Sequence, residues 1–184
     1  MCIQQDISFL DPKIQEQIKS KKNFIFQGII SKQRDLSNFL KSLRNHKEYN
    51  LILMGEDYGI LESYKKIYPN LIHIPFQIPP RHLNVTSWAD IGIIAYDFSD
   101  LNHIYCAPNK LYEYSGFGLP ILCSENPGIK SPVESNNIGI SVDFTDDLKI
   151  SKSISIIISK ANFFSKKSIE FYENSDYSIS KKIN

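Results

Sequence analysis

Short apolar runs alternate with amphipathic stretches along most of the chain. The apolar runs, which predict strands, are Phe24–Ile30, Leu51–Met54, Leu71–Phe76, Ile91–Tyr96, Pro120–Cys123 and Ile138–Val142. Stretches with helical spacing of apolar residues lie between them, at Asp35–Asn45, Ile60–Ile67, Pro79–Trp88 and from Pro108. Strands that alternate with helices are typical of a parallel sheet built from βαβ units. The pattern predicts an α/β fold with a doubly wound parallel sheet of about six strands flanked by helices.

The two ends of the chain differ from the middle. Residues Met1–Lys22 are polar, with one weak helical pattern and no strand, and are interpreted as a linker or N-terminal extension (1–22). The main domain then occupies 23–184, and from Asp146 its pattern is helical. The loops after the strands meet at one edge of such a sheet, where ligands bind.

Composition and charge indicate a globular domain and do not favour a nucleic-acid partner. The chain has 184 residues, of which 42% are hydrophobic, which suits one domain with a full core. Lys and Arg number 21 and Asp and Glu number 20, so the net charge of +1 gives no argument for nucleic acid as a partner.

The cysteines and the N-terminus indicate a reducing, cytoplasmic setting. Cys2, Cys106 and Cys123 are too few for a disulfide framework, and no CxxC pair is present. The first residues lack the basic start and apolar run of a signal peptide. No apolar stretch is long enough to predict a transmembrane segment.

The segment Pro108–Cys123, PNKLYEYSGFGLPILC, carries the strongest chemical signal. Proline at the first helical position favours a helix start, and a helix N-terminus attracts phosphate. Asn109 and Glu113 lie four residues apart and share one face, so Glu113 is placed to bind a ribose diol one turn behind a phosphate. The alternative is a capped surface helix in which Lys110 and Glu113 only pair with each other.

Other motifs are absent or weak. The four histidines lack metal-ligand spacing, so no metal site is expected, and there is no GxSxG, GxxxxGK[ST] or GxGxxG motif. A phospho-acceptor receiver module would need an acidic pair after its first strand, where this chain has SKQRD. His103, Tyr105 and Cys106 precede the Pro108 helix and are further candidates to line a site. No catalytic residue is assigned.

These segments together resemble the C-terminal, donor-binding domain of GT-B glycosyltransferases of the group 1, family 4-like type. PNKLYEYSGFGLPIL is similar to their donor-site segment, and FIFQGIISKQRDL and NLILMG to their first two strands. IHIPFQIPPRHLNVTSWADIGIIAY, NPGIKSPVESNNIGISVD and FYENSDYSISKKI are similar to later segments of that domain. The resemblance covers Asn23 to Ile183 and implies a Rossmann-like sheet that binds a nucleotide-sugar.

The resemblance implies a donor site whose parts can be named. Glu113 matches the glutamate on the ribose hydroxyls, and Asn109, Lys110 and Leu111 fall at the helix N-terminus that faces pyrophosphate and sugar. The remaining residues of the implied site are Gly28 for close approach, Arg34 as the diphosphate cation and Ile78, near which backbone groups hold the base. Because protein charge stabilises the leaving diphosphate in such sites, no metal or other cofactor is expected.

Two positions depart from the family pattern. Many members carry another glutamate eight positions before the one that matches Glu113. This chain has Tyr105 at that position. The arginine that often follows the first strand is replaced near Ile30, which leaves Lys32 and Arg34 to supply charge. The stereochemical outcome of transfer is therefore left open.

The N-terminal acceptor-binding domain of the family has no counterpart in these residues. The resemblance implies an excised donor domain, or a subunit that pairs with a separate acceptor domain. It implies a hexosyltransferase acting in polysaccharide or capsule synthesis in the cytoplasm, with peripheral attachment to the inner membrane face through the missing domain. The chain alone is then expected to bind nucleotide and transfer almost no sugar. The alternatives are a GT-B NDP-sugar 2-epimerase and a non-enzymatic assembly module.

Overall fold

A computed structural model describes the backbone of residues 3–183 and the side chains of residues 3–175. The strands are β1 (Lys22–Gln27), β2 (Tyr49–Met54), β3 (Leu71–Ile74), β4 (Ile91–Ile94), β5 (Ile121–Cys123) and β6 (Gly139–Ser141). The helices are α1 (Pro12–Ser20), α2 (Ser37–Leu43), α3 (Leu61–Ile67), α4 (Arg81–Thr86), α5 (Leu101–Tyr105), α6 (Asn109–Gly116), α7 (Pro127–Ser135), α8 (Asp147–Ser159) and α9 (Ala161–Ile183).

The six strands form one parallel sheet in the order β3-β2-β1-β4-β5-β6. This is the doubly wound Rossmann order, in which the winding direction reverses between β1 and β4. The predicted fold class is confirmed. The carboxyl ends of all six strands lie at one edge, and the reversal opens a crevice there.

Each sheet face is buried under its own layer of helices. Along β1, Phe24 and Phe26 pack with α2, α3 and α8, while Ile25 faces α1, α4, α6 and α7. The continuous apolar runs of β1, β2 and β4 follow from this, because strands covered on both faces have no solvent-facing positions.

The N-terminal segment differs from the predicted linker in conformation. Residues 12–20 form α1, which Asp11 caps by accepting the Lys13 N–H on its side chain. Ile7, Leu10 and Ile18 are buried in the core on the α1 face. The polar residues that suggested a linker lie on the exposed side of this helix. Whether 1–22 also leads to a further domain stays a prediction.

The sequence pattern did not predict two of the helices, α5 and α7. Residues 97–107, for which the sequence pattern predicts no element, contain α5, which Asp100 caps by accepting the His103 N–H. The stretch before β6 contains α7, with Pro127 in its first turn and Pro132 inside it. α5 has only five residues and α7 contains two prolines, and both features are typical of loops.

Candidate donor-binding cleft

A cavity of about 630 Å³ lies at the crevice between β1 and β4. Its walls come from the loops after β1, β2, β3 and β4 and from the first turns of α6. The lining includes Gly28, Arg34, Asn109, Lys110 and Glu113, five of the seven predicted site residues. Residues far apart in sequence therefore meet at the edge that the topology predicts for a ligand.

Two cations and a tyrosine form one end of the cavity. The guanidinium carbon of Arg34 lies 4.8 Å from the centre of the Tyr96 ring. The Lys110 Nζ donates to the Tyr96 hydroxyl at 3.1 Å and lies 5.0 Å from the same ring centre. Among the side chains described, none of the ion pairs involves either cation. Unpaired cations side by side suit a ligand with two or more negative charges.

The electrostatics of Lys110 reflect this crowding. Burial, followed by the nearby charge of Arg34, lowers the pKa of Lys110 to about 8, although Glu113 acts in the opposite direction. The ammonium is thus less favourable at this position than on the protein surface. An anion between the two cations would relieve that cost.

A hydrogen-bonded carboxylate, that of Glu113, lines the cavity beside the end of β1. Glu113 accepts from the Gln27 side-chain amide at 3.2 Å and from His82 Nε2 at 3.2 Å. Gln27 is held in turn by Thr86, whose buried hydroxyl donates to the Gln27 amide oxygen at 2.8 Å. One contact per carboxylate oxygen fixes the group and leaves lone pairs for further donors, such as vicinal hydroxyls.

Glycine is required where the first two loops approach each other. Gly28 and Gly55 have φ values of 120° and 150°. A Cβ at Gly55 would lie 2.0 Å from the Gly28 carbonyl oxygen, and one at Gly28 would lie 3.2 Å from an Arg34 nitrogen. Without a Cβ at either position, the two loops can lie close together and the space beside the cations stays open to a ligand.

The N-terminus of α6 opens onto the cavity one residue later than predicted. Pro108 is extended, with φ −72° and ψ 144°, and precedes the helix instead of starting it. Asn109 is the first helical residue and is exposed, so its side chain and N–H are available to a ligand. The helix dipole adds partial positive charge to the Arg34 and Lys110 end.

Phe76, Gln77 and Pro79 follow β3 and also line the cavity, and β3 lies two strands from β1 on the side away from β4. Phe76 is 59% exposed, which leaves its ring available for stacking. Along the sheet edge the lining thus passes from the two cations at Tyr96 after β4, past the carboxylate held by Gln27 of β1, to the aromatic and amide groups after β3.

Several proteins of known structure share this architecture. WaaG, described as a glycosyltransferase involved in lipopolysaccharide biosynthesis, has a TM-score of 0.66 at 13% identity over 96% of this chain and 50% of WaaG. The C-terminal domain of LpcC, a glycosyl transferase group 1 family protein from Francisella tularensis, has a TM-score of 0.63 at 14% identity, over 89% of this chain and 91% of that one. S. aureus MnaA with UDP gives 0.62 at 12% identity, over 89% of this chain and 44% of MnaA.

The chain has the fold of a GT-B half. At these identities the likeness establishes the fold, and the chain spans half the length of WaaG. Neither a protein-family model nor a curated protein sequence matches the chain.

Two predicted site residues do not face the cavity of this GT-B half as expected. The side chain of Leu111 is 1% exposed and packs in the core, because it projects from α6 toward the sheet. Its N–H donates to the Pro108 carbonyl at 2.9 Å and is already engaged. Ile78 is 73% exposed and lies outside the lining, and its carbonyl accepts from the Arg81 N–H. Leu111 is thus a core residue, and Gln77 and Pro79 replace Ile78 in the lining.

Three of the lining residues that contact the predicted site residues were not themselves predicted from the sequence. Gln27 and His82 hold Glu113, and Tyr96 holds both cations. A glutamine at the end of an apolar run was the available signal for Gln27, since a buried amide needs a partner. Nothing local distinguishes His82 or Tyr96. That any of these residues binds a nucleotide-sugar stays a prediction.

The described residues contain neither a cluster of metal-ligating side chains nor a membrane-spanning helix. Within the described ranges no group of three His, Cys, Asp or Glu side chains is arranged to hold a metal ion. No described helix combines the length and apolar character needed to cross a bilayer. Cys106 and Cys123 are free thiols, and Cys2 lies outside the described residues.

Proposed function

We propose that this chain is the donor-binding half of a glycosyltransferase and binds an NDP-sugar. The order of groups along the cavity supports the proposal. Arg34 and Lys110 would take the diphosphate, Glu113 the ribose hydroxyls, and the Phe76 end the base. A nucleoside diphosphate presents the matching groups in the same order: an anionic diphosphate, a ribose diol and an aromatic base.

The chemistry of such a half is leaving-group stabilisation. As the glycosidic bond to the β-phosphate breaks, negative charge grows on the diphosphate. Arg34, Lys110 and the N-terminus of α6 would meet that charge in fixed positions, with no metal required. Hexosyl transfer to a polysaccharide-type acceptor in the cytoplasm completes the proposal.

We propose that a second domain or subunit covers the edge that carries the cavity. Phe76, Ile78, Phe98, Leu101 and Tyr105 all follow strand ends at this edge and are 58–73% exposed. An apolar set of this size at one edge indicates an interaction surface. WaaG, which this chain matches over half its length, is long enough to include such a domain.

Calorimetric titration of UDP, GDP and ADP, repeated with Glu113→Ala, tests the donor site. One diphosphate should bind selectively, and the variant should bind it about tenfold more weakly, because hydrogen bonds to a charged group contribute about 1.5–3 kcal/mol. Glu62→Ala is the matched control, since Glu62 is exposed and, among the described side chains, forms an ion pair with Lys65 alone. Absence of any diphosphate binding would favour the assembly-module alternative.

Transfer by the chain alone tests the need for a second domain. Glycosyl transfer requires donor and acceptor to be held together, so the purified chain should transfer almost no sugar even where it binds the diphosphate. Radiolabelled transfer to glycan acceptors measures this. Robust turnover would show that one half is sufficient.

A further inference from the structure

A second cavity, of about 470 Å³, adjoins the donor-binding cleft. It lies at the carboxyl ends of β4, β5 and β6 and is closed by the loop after β1. Arg34 and Tyr96 line both cavities, and the guanidinium stacked on the tyrosine ring forms the wall between them. A ligand group in the second cavity would therefore lie directly beyond the proposed diphosphate.

The lining of the second cavity has the opposite charge from that of the cationic end. It includes four carboxylates, Asp35, Asp97, Glu125 and Asp143, against the two cations Lys32 and Arg34. Hydrogen bonds from the Thr145 hydroxyl and N–H lower the pKa of Asp143, so this carboxylate is charged at neutral pH. A second phosphate would be repelled here, whereas a neutral ligand with many hydroxyl donors would find acceptors.

Aromatic side chains accompany the carboxylates. Phe98 is 58% exposed at the cavity, and Phe144 lines it while stacking on Phe39 at 6.4 Å. A sugar ring presents C–H bonds on its faces and hydroxyls around its edge. Aromatic faces beside carboxylate acceptors are therefore complementary to a sugar.

The loop that carries Asp97 and Phe98 is held in place. Asn126, which is fully buried, donates to the carbonyls of Asp97 and His103 at 2.9 and 3.2 Å. The Asp97 carboxylate accepts from His103 Nδ1 at 2.6 Å, and Ser124 accepts from the Tyr96 N–H at 3.1 Å. Because this loop is already fixed, binding a sugar against it costs less conformational entropy than binding against a mobile loop would.

We propose that the second cavity binds a neutral, hydroxyl-rich glycosyl group, with Phe98 as the stacking surface and Asp143 as a hydroxyl acceptor. The inference rests on the proposed function only in placing a diphosphate at Arg34. Two sources share this chemistry: the sugar of the donor itself, and a sugar of the acceptor.

The test compares Phe98→Ala and Asp143→Asn with the unchanged chain. Tyr58→Ala is the matched control, because Tyr58 is 64% exposed and lines neither cavity. Calorimetry measures UDP, GDP and ADP against UDP-glucose, GDP-mannose and ADP-glucose. Saturation-transfer NMR measures methyl glucoside, methyl mannoside and methyl galactoside, with and without nucleotide, and circular dichroism checks that each variant is folded.

We expect Phe98→Ala to leave diphosphate affinity within about twofold of the unchanged chain. We expect it to weaken NDP-sugar or glycoside binding by about fivefold, through loss of the stacking surface. Asp143→Asn should act in the same direction, and Tyr58→Ala should change nothing. An effect on NDP-sugars identifies the donor sugar as the occupant, and an effect confined to glycosides identifies the acceptor.

Insensitivity of both NDP-sugars and glycosides to Phe98→Ala and Asp143→Asn would overturn the inference while leaving diphosphate binding intact. If no diphosphate binds, the proposed donor function fails separately. In that case the glycoside measurement alone decides the inference, with variant-sensitive binding supporting it and any other result overturning it.

Discussion

At the scale of single residues, Lys110 makes the cavity sensitive to pH. Its pKa of about 8 means that the ammonium is largely charged at pH 7.5 and largely neutral at pH 9.5. A diphosphate bound beside it should therefore bind more weakly as the pH rises through this window, by about tenfold, since a bound anion favours the charged form.

Lys110→Arg supplies the control for this pH dependence. A guanidinium stays charged throughout, so the variant should lose the part of the pH dependence that Lys110 causes. Calorimetric titration at intervals between pH 7.5 and 9.5 measures the difference. An equally steep dependence in the arginine variant would mean that another group is titrating.

Single residues also mark how far the sequence predicts the site. Glu113 and Asn109 could be found because one helical turn fixes their relative position. Gly28, directly after β1, and Arg34, in the loop that follows, were named only through the family resemblance. His82 and Tyr96 join them only through packing of loops that are distant in sequence. Leu111 was misplaced because its direction depends on the rotation of α6 about its axis, which the sheet sets.

At the scale of elements, Gly92 allows α6 to pack on β4. A Cβ at this position would lie 2.3 Å from the ring of Tyr114, which is buried on α6. Gly92→Ala should therefore lower the free energy of unfolding by about 1–3 kcal/mol or more, the usual cost of overpacking a core. Urea unfolding followed by circular dichroism measures the change.

Tyr114→Leu, combined with Gly92→Ala, distinguishes overpacking against the Tyr114 ring from other effects of the alanine at position 92. In the Tyr114→Leu background the smaller side chain leaves room for the new methyl group. Gly92→Ala should cost less there than in the unchanged chain. Equal costs in the two backgrounds would show that the Tyr114 contact is not the cause.

The strands were easier to predict than the helices. β1, β2 and β4 are buried on both faces, and this leaves continuous apolar runs in the sequence. β3 ends two residues early, before Pro75, which has no N–H for a sheet hydrogen bond. α5 and α7 owe their form to a cap and to contacts made after folding, so their own sequences carry little signal.

At the scale of the whole molecule, the N-terminal segment is part of the core. Ile18 of α1 is 1% exposed, and truncating it to alanine should lower the free energy of unfolding by about 2–4 kcal/mol through lost burial and a cavity. Ile3→Ala is the control, since Ile3 is 87% exposed. Thermal and urea unfolding compare the two. Equal stability of both variants would return the segment to the role of a linker.

The strand order also governs how the chain reaches this fold. Every neighbouring pair in the sheet is parallel, and β1 pairs with β4 through Phe24 and Ile91, so the described sheet contains no local hairpin. Each pairing must close a long loop before any contact compensates for the lost chain entropy, and such topologies fold slowly. The crevice between β1 and β4 depends on the pairing of two strands that are distant in sequence. A nascent chain therefore has no binding edge until β4 has been made and joined to β1.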